Sequence, residues 1–572
     1  MKINGTSTGG EAPKGPNRRH FLGQVSGIGA LAAGAVKASS AASASSLSPD
    51  VTGTVPPGIG DKRLIEAFNL RTGEATDDLL VPPAKNVSNG DDARYPDKGG
   101  TFTKGLPHDN FGRVEPAAYT SLKTAMATGR FSDFERIVMG GTRTLNGPQG
   151  GLAFDLEGLD NSQFGMPIVP PAPAIAGDQT GTELLEHYWA SLLRDVAFTD
   201  YDSNRLAAQA ASELSGLPTY LGPRNDGGRV TPDLLFRGIF PGETLGPYIS
   251  QFLITPTFLG AQPISQQMVS YLPNIDYMTS FGDWLTVQNG NFTGLQNQTD
   301  PVLRYRRLGR DLAAFTHVDI LYQAYFTALL VLTSLGAPLN PGNPYVGSRC
   351  ENGFGTFGPP DFAATVAEVA TRALNAVWYQ KWFVHLRPRP EATGGQVHLV
   401  KTGQGNATDV KPSNVVLNSV GLQQSYAKYG TWLLAQAFPE GSPMHPAYPT
   451  GHGTVGGACI TMLKFFFDGD FAIPSPVVPT SDGLSLVSYA GSDAGQLTVN
   501  GELNKLGHNI TFGHGIHAGI HWRSDSDTSL MLGEAVALSF LKDRARIYNE
   551  PFTVRLTKFD GTTATISNQG NP

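Results

Sequence analysis

The chain has 572 residues, a net charge of −7 and a pI near 6.0, which leaves no basic footprint for a nucleic-acid partner. With 40% hydrophobic and only 16% charged residues it can bury a large core, while 68 glycines and 41 prolines demand many turn-rich connections. Two cysteines, Cys350 and Cys459, exclude a disulfide framework and permit one bridge at most.

Residues 1–44 read as an export signal. Arg18-Arg19 precede the apolar pair Phe21-Leu22, a Gly/Ala-rich run without acidic residues continues to Val36, and Ala42-Ser43-Ala44 offers a cleavage site. That order is expected of a twin-arginine signal and of a periplasmic or extracellular mature protein. Residues 45–110, rich in Gly, Pro, Asp and Asn, are expected to form a loop-rich N-terminal arm with one short helix near 63–69.

Residues 111–548 are expected to form a helical domain. The first strong helix is 182–196, where Leu184, Leu185, Tyr188, Trp189, Leu192 and Leu193 recur at helical spacing. Further helices are expected at 204–214, as one long element within 303–335 stopped by Gly336, and at 362–382, entered through Pro359-Pro360-Asp361. Others are expected at 416–438, 454–467 and 528–541. The tail, 549–572, alternates apolar and polar residues around Asp560-Gly561, a hairpin signal. The fold class is therefore all-α, built of packed bundles with long Gly/Pro-rich loops and a short C-terminal β-hairpin. The most apolar stretch, 312–335, is interrupted by Thr316, His317, Asp319 and Gln323, so no membrane span is expected in the mature chain.

Three clusters could hold an oxyanion. The first places Lys381, His385, Arg387 and Arg389 at the end of a long helix, which Pro388 and Pro390 must stop. Arg389 then sits on an extended turn, with a planar fork suited to a tetrahedral anion. A solvated basic helix terminus has the same composition. The second cluster, His445-Pro446-Ala447-Tyr448-Pro449-Thr450-Gly451-His452, leads into a helix. A hydroxyl, a glycine amide and an imidazole at a helix N-terminus form an anion site, or Thr450 simply caps. The third holds His508, His514, His517 and His521, four of the twelve histidines within fourteen residues. His514, His517 and His521 share one face if the segment is helical, which suits an oxyanion, a proton relay or a divalent metal.

Taken together, the ordered clusters resemble the vanadium-dependent haloperoxidases, within the superfamily shared with type 2 phosphatidic acid phosphatases and bacterial class A acid phosphatases. The algal bromoperoxidase pattern is matched by Lys381 followed by Arg389-Pro390-Glu391, with Trp382 and His385 between them. It is matched again by His445-Pro446-Ala447-Tyr448 ahead of Thr450-Gly451-His452, and by Gly519-Ile520-His521-Trp522-Arg523-Ser524-Asp525. The likeness extends over roughly residues 95–545. It implies a fold of two four-helix bundles and a vanadate cofactor, vanadium(V), with His521 as the one metal ligand. By the same resemblance Lys381 and Arg389 neutralise the oxygens, while the Thr450 hydroxyl and Gly451 amide hydrogen-bond to them. His452 handles the peroxide proton, Lys381 polarises the peroxide, and His445 influences the halide. The substrates implied are hydrogen peroxide and a halide, bromide or iodide favoured, with hypohalous acid as product and a small organic acceptor as a further partner. Relatives in this family assemble into dimers or larger oligomers, so a homo-oligomer is implied.

Two positions depart from the family pattern. Its serine is Thr450 here, which keeps the hydroxyl. Its arginine six residues before the ligand histidine falls on Gly515; either His514 substitutes from one position further away, or a one-residue insertion puts His514 in the arginine's place. The alternatives are an acid phosphatase-like phosphohydrolase in which His521 attacks a phosphoester, a non-catalytic oxyanion-binding homologue favoured by Gly515, and a divalent metal site on His514, His517 and His521.

Overall fold

A computed structural model describes residues 59–80, 85–153 and 169–569. The export signal lies outside these residues. The described residues divide between two units at Asn69 and Leu70. Within the second, the remainder of the arm, the helical region and the C-terminal tail all belong to one unit.

The helices of eight residues or more are α1 (Ile59–Leu80), α2 (Pro116–Thr128), α3 (Asp178–Leu193), α4 (Arg205–Ser215), α5 (Phe281–Gln288), α6 (Gly309–Val318), α7 (Gln323–Ser334), α8 (Pro359–Tyr379), α9 (Pro390–Lys401), α10 (Val420–Tyr429), α11 (Gly451–Phe466), α12 (Val499–Phe512) and α13 (Arg523–Ala545). The fold is thus mostly helical, as expected. The short helix expected at 63–69 runs instead over all of α1, between the prolines at 56–57 and 82–83 that bracket it in the sequence.

Every residue of α11 is buried, and most of its positions are small or apolar, with the buried Lys464 donating to Asn504 Oδ1 at 2.8 Å. It packs against α13, α8 and α12. The approach to α13 is close because it is built on glycine: a Cβ at Gly457 would collide with the Leu530 backbone, and one at Gly533 with the carbonyl of Thr454. The surrounding core draws Tyr188 and Trp189 of α3, Val366 and Val377 of α8 and Leu503 of α12 into one apolar cluster.

Two expected helices are broken. The element within 303–335 divides into α6 and α7, bent by 106°. At the break Asp319 is extended (φ −70°, ψ 157°) and accepts a hydrogen bond from His452 Nε2 at 2.9 Å, a contact that a continuous helix has no reason to provide. The helix expected at 416–438 also ends early. Gly430 takes a left-handed φ of 68° after α10, and 431–450 is irregular chain that wraps the site. No single described helix is long and apolar enough to cross a membrane; the bent pair α6–α7 passes only by length and composition.

The tail forms the expected hairpin, β5 (Thr553–Thr557) with β6 (Thr563–Ser567), in the register Thr553↔Ser567 to Thr557↔Thr563. Val554, Leu556 and Ile566 point inward, and Gly561 at φ 80° makes the turn. Two further hairpins, β1–β2 (Thr257–Leu259 with Gln262–Ile264) and β3–β4 (Val477–Pro479 with Leu486–Ser488), were not signalled by alternation because each strand has only three residues. Cys350 is exposed and Cys459 buried, and both are free thiols.

Candidate active site

The first cluster leaves α8 through a π turn, Gln380–His385, rather than by continuing the α-helix. Leu386 ends that turn in the left-handed region (φ 46°), and its carbonyl is held by the Phe102 amide at 2.7 Å. The widened turn directs Lys381 inward. Arg389 follows in extended conformation (φ −81°, ψ 155°) at the N-cap of α9, as the flanking prolines require.

Lys381 is fully buried, and among the described residues its Nζ donates only to the carbonyls of Pro446 (3.0 Å) and Ala447 (2.8 Å). Arg389, 1% exposed, donates through Nε to the His445 carbonyl at 3.0 Å and through NH1 to the Ile520 carbonyl at 3.1 Å. Its NH1 also lies 2.7 Å from His521 Nε2, and its NH2 lies 3.0 Å from His445 Nδ1. Neither cation is in an ion pair among the described residues. Burial, then the charge of Arg389, drives the Lys381 ammonium well below its usual range. Burial likewise pulls Arg389 down to about 9, against the opposing pull of Asp525 and Glu391.

The second cluster ends at the N-terminus of α11. Thr450 is its N-cap residue, with Oγ1 accepting from the Gly453 amide at 3.4 Å, so the capping reading holds in geometry alongside the anion-site reading. Gly451 and His452 begin the first turn, where amide donors and the helix dipole favour an anion. His452 Nε2–H donates to Asp319 Oδ1 at 2.9 Å, which leaves Nδ1 as the basic atom. His445 packs 4.7 Å from the Trp378 ring.

The third cluster divides. Its centre is a π turn, Gly513–His517, and 518–522 is not helical, so the expected shared face of His514, His517 and His521 does not form. His514 turns toward the site, 4.2 Å from the His452 ring and 5.7 Å from that of His521, with a buried Nδ1 that has no partner. His517 turns away into the core, where its Nε2 meets the Tyr248 hydroxyl at 2.9 Å among Phe198 and Phe236. His508 is also apart, fixed between Glu243 and Asp527. Arg523 is taken up by Glu186 and is not available to the site.

A π turn holds one residue more than the α-helical turn it replaces, which is the local signature of a one-residue insertion. The geometry therefore favours His514, not Gly515, as the residue in the arginine's place. A Cβ on Gly515 would face the backbone of His521, 3.3 Å from its carbonyl oxygen, rather than the cations. Gly519, at φ 87°, allows the chain to reverse closely past Gln436 before His521.

His521 is oriented from behind. Its Nδ1–H donates to Asp525 Oδ2 at 3.0 Å, and the same oxygen accepts from the Trp522 amide. The other oxygen accepts from Arg387 NH1 at 2.7 Å. This carboxylate sets the tautomer that leaves Nε2 unprotonated, its lone pair accepting from Arg389 NH1. Burial, followed by Arg389 and Lys381, keeps the His521 imidazole well below its usual pKa, hence neutral. His445 is lowered by burial, then Arg389 and Lys381, and His514 by burial, then His452 and Arg389. Asp525 was visible only as part of a motif and Asp319 and Arg387 were not singled out for these roles. No sequence signal links positions 319 and 452.

These residues fit an oxyanion. Two buried basic side chains without carboxylate partners among the described residues, a helix N-terminus and the orphaned Nδ1 of His514 lie around the unprotonated Nε2 of His521, which accepts from Arg389. Burying such charges unpaired costs several kcal/mol each, which a bound anion offsets. Among the described residues no group of three or more His, Cys, Asp or Glu side chains is placed to hold a metal ion, so the divalent reading finds no support; vanadate needs only one protein ligand.

No protein-family model matches the chain. Vanadium-dependent bromoperoxidases of Corallina officinalis and Corallina pilulifera are 33% and 34% identical to it, over 87% of this chain and 98% of each relative. One from Ascophyllum nodosum is 32% identical, over 92% of this chain and 96% of the relative. Among solved structures, the homohexameric second vanadate-dependent bromoperoxidase of Ascophyllum nodosum matches with a TM-score of 0.83 at 29% identity, covering 91% of this chain and 94% of that one.

Proposed function

Because the chain belongs to the vanadium-dependent bromoperoxidase family, we propose that it binds vanadate and oxidises a halide with hydrogen peroxide to hypohalous acid, with bromide or iodide favoured. The observation that supports this reading is the buried, carboxylate-free Arg389 against His521 Nε2, with the buried Lys381 charge acting on the same imidazole. Vanadate held there would supply a Lewis-acidic vanadium(V) centre able to activate hydrogen peroxide towards a halide.

The protein's part is to bind, orient and move protons. His521 Nε2 is the ligand atom, fixed by Asp525. Lys381, Arg389, the Thr450 hydroxyl, the Gly451 amide and His514 take the oxygens. His452 Nδ1 accepts the peroxide proton while Asp319 holds the opposite edge of the ring. His445, in contact with both Arg389 and Trp378, is the residue that influences the halide. The Ascophyllum relative's hexamer supports self-association of this chain, and the Arg18-Arg19 signal supports export.

The test is halide oxidation by the purified protein with peroxide, with and without added orthovanadate, using iodide, bromide and chloride in parallel. Activity dependent on vanadate and absent in His521→Ala is expected. A folded protein that stays inactive at saturating vanadate, and instead hydrolyses a phosphoester, would overturn the reading.

A further inference from the structure

Lys104 lies in the arm, where composition predicts loop, yet it is 3% exposed and its ammonium is the centre of a buried clamp. Nζ donates to Glu391 Oε1 at 2.6 Å, to the Ser442 carbonyl at 2.6 Å and to the Glu440 carbonyl at 3.0 Å. Glu391 is buried too. Its other oxygen accepts from the Ser442 amide at 2.7 Å, and Oε1 also accepts from Gln288 Nε2 at 3.3 Å. The ammonium therefore has a protein acceptor for each of its hydrogens and a carboxylate for its charge. Lys381 and Arg389 have no such carboxylate among the described residues, so Lys104 is built to brace the protein and those two to meet an anion.

Both partners of Lys104 lead to the site. Glu391 stands in the first turn of α9, two residues after Arg389. Ser442 stands three residues before His445, whose carbonyl holds Arg389 Nε, and the next two carbonyls hold Lys381 Nζ. The same stretch of the arm has a second grip. The Phe102 amide, at 2.7 Å, and the Thr101 hydroxyl, at 3.1 Å, donate to the carbonyl of Leu386, which ends the π turn that carries Lys381. Gly105, at φ 95°, lets the backbone pass so close to Met444 that a Cβ there would collide with the Met444 methyl. Residues 101–105 thus tie together the two segments, 381–391 and 440–447, that supply the basic side chains and the carbonyls that aim them.

We propose that Lys104 is a positioning residue for the oxyanion site: its bridge from Glu391 to the carbonyls at 440 and 442 fixes the start of α9 against the chain at 445–447, and so presets Arg389 and Lys381 for the anion. The inference rests on the functional reading above and adds to it a residue of the arm. Without the bridge, Ser442 loses the donor to its carbonyl, and the Glu440 carbonyl keeps only Arg143 NH1, at 3.1 Å, among the described residues. Arg389 and Lys381 keep their charges but not their fixed aim, and oxyanion affinity falls because the donors must be ordered at the moment of binding.

The test is equilibrium binding of orthovanadate to the purified full chain, without peroxide or halide, followed by vanadium NMR of the free anion and paired with thermal unfolding. Lys104→Met alone leaves Glu391 charged and unpaired, so it is expected to lose stability as well as affinity. Lys104→Met/Glu391→Gln removes both charges and keeps an acceptor for the Ser442 amide. Its melting temperature is expected to return towards that of the wild type, while vanadate affinity stays about ten- to a hundredfold weaker. Binding is measured well below the melting temperature of each variant, so that a lost affinity is a loss at the site of a folded protein. A double variant that binds vanadate as tightly as the wild type makes the clamp a stability element only and overturns the proposal. A wild-type chain that binds no vanadate overturns the functional reading itself, and the proposal with it.

Discussion

Arg389 NH1 lies 2.7 Å from Nε2 of His521, so the guanidinium occupies the hydrogen-bonding position of the nitrogen that the site presents to a metal. A neutral imidazole and a cation this close are stable only because Asp525 holds the other ring nitrogen and the carbonyls of His445 and Ile520 hold the guanidinium. In the proposed function a bound vanadate displaces that contact and receives both groups.

Arg389→Lys tests the fork. Lysine keeps the charge but cannot hold His445, Ile520 and an oxyanion in one plane. Vanadate affinity, measured by reconstitution of activity, is expected to fall about ten- to a hundredfold. Unchanged affinity would show that charge alone suffices.

Asp525→Asn removes the carboxylate that sets the His521 tautomer. Vanadate affinity is expected to fall about 10–100-fold. Arg387 loses its charged 2.7 Å partner as well and retains Ser524 Oγ at 2.8 Å and Glu183 at 3.8 Å, so a stability loss approaching about 3 kcal/mol is expected in denaturant titrations.

His514 and Gly515 give opposite signatures. His514→Ala is expected to weaken vanadate about tenfold and to leave the melting temperature nearly unchanged, because it removes a donor from the site. Gly515→Ala is expected to act on stability instead, by about 1–3 kcal/mol, because the new Cβ meets His521 at 3.2 Å. If Gly515→Ala alone changed vanadate affinity, the placement of His514 in the arginine's role would fall.

Asp319→Asn keeps the shape at the α6–α7 break and removes the charge facing His452. The turnover number is expected to drop about 10²-fold or more with vanadate affinity little changed, since His452 moves a proton rather than binding the metal. Steady-state kinetics at saturating vanadate separate the two quantities.

His508 predicts a pH dependence of stability away from the site. Burial alone would lower its pKa, but Glu243 and then Asp527 raise it to about 9. A histidine raised in the folded state stabilises fully below its unfolded pKa of about 6.5, and that contribution is lost as pH rises towards 9. Thermal unfolding from pH 6 to 9.5 is expected to reveal a decline of up to about 3 kcal/mol, absent in His508→Gln.

Much of the helical content is legible because burial leaves a period. The 3.6-residue recurrence in α3 and the apolar run of α11 locate both within a few residues, and the alternation around Asp560-Gly561 locates the tail hairpin. The break between α6 and α7 and the early end of α10 are not legible in that way. Apolar composition continues across both, and what interrupts the helices is a distant partner in one case and a left-handed glycine in the other.

The sequence by itself determined which chemistry is available: two cations spaced by helix-stopping prolines, a Thr-Gly-His helix start, and a histidine-dense segment ending in His521. It also carried the family resemblance. Only the tertiary structure decided which histidines take part, because a π turn rotates His514 inward and His517 into the core, an offset of one residue that linear spacing cannot show. It decided too that Asp525 and Asp319 set the proton positions of His521 and His452. The second of these pairings spans 133 positions, and long-range contacts of this kind follow from packing rather than from any local pattern.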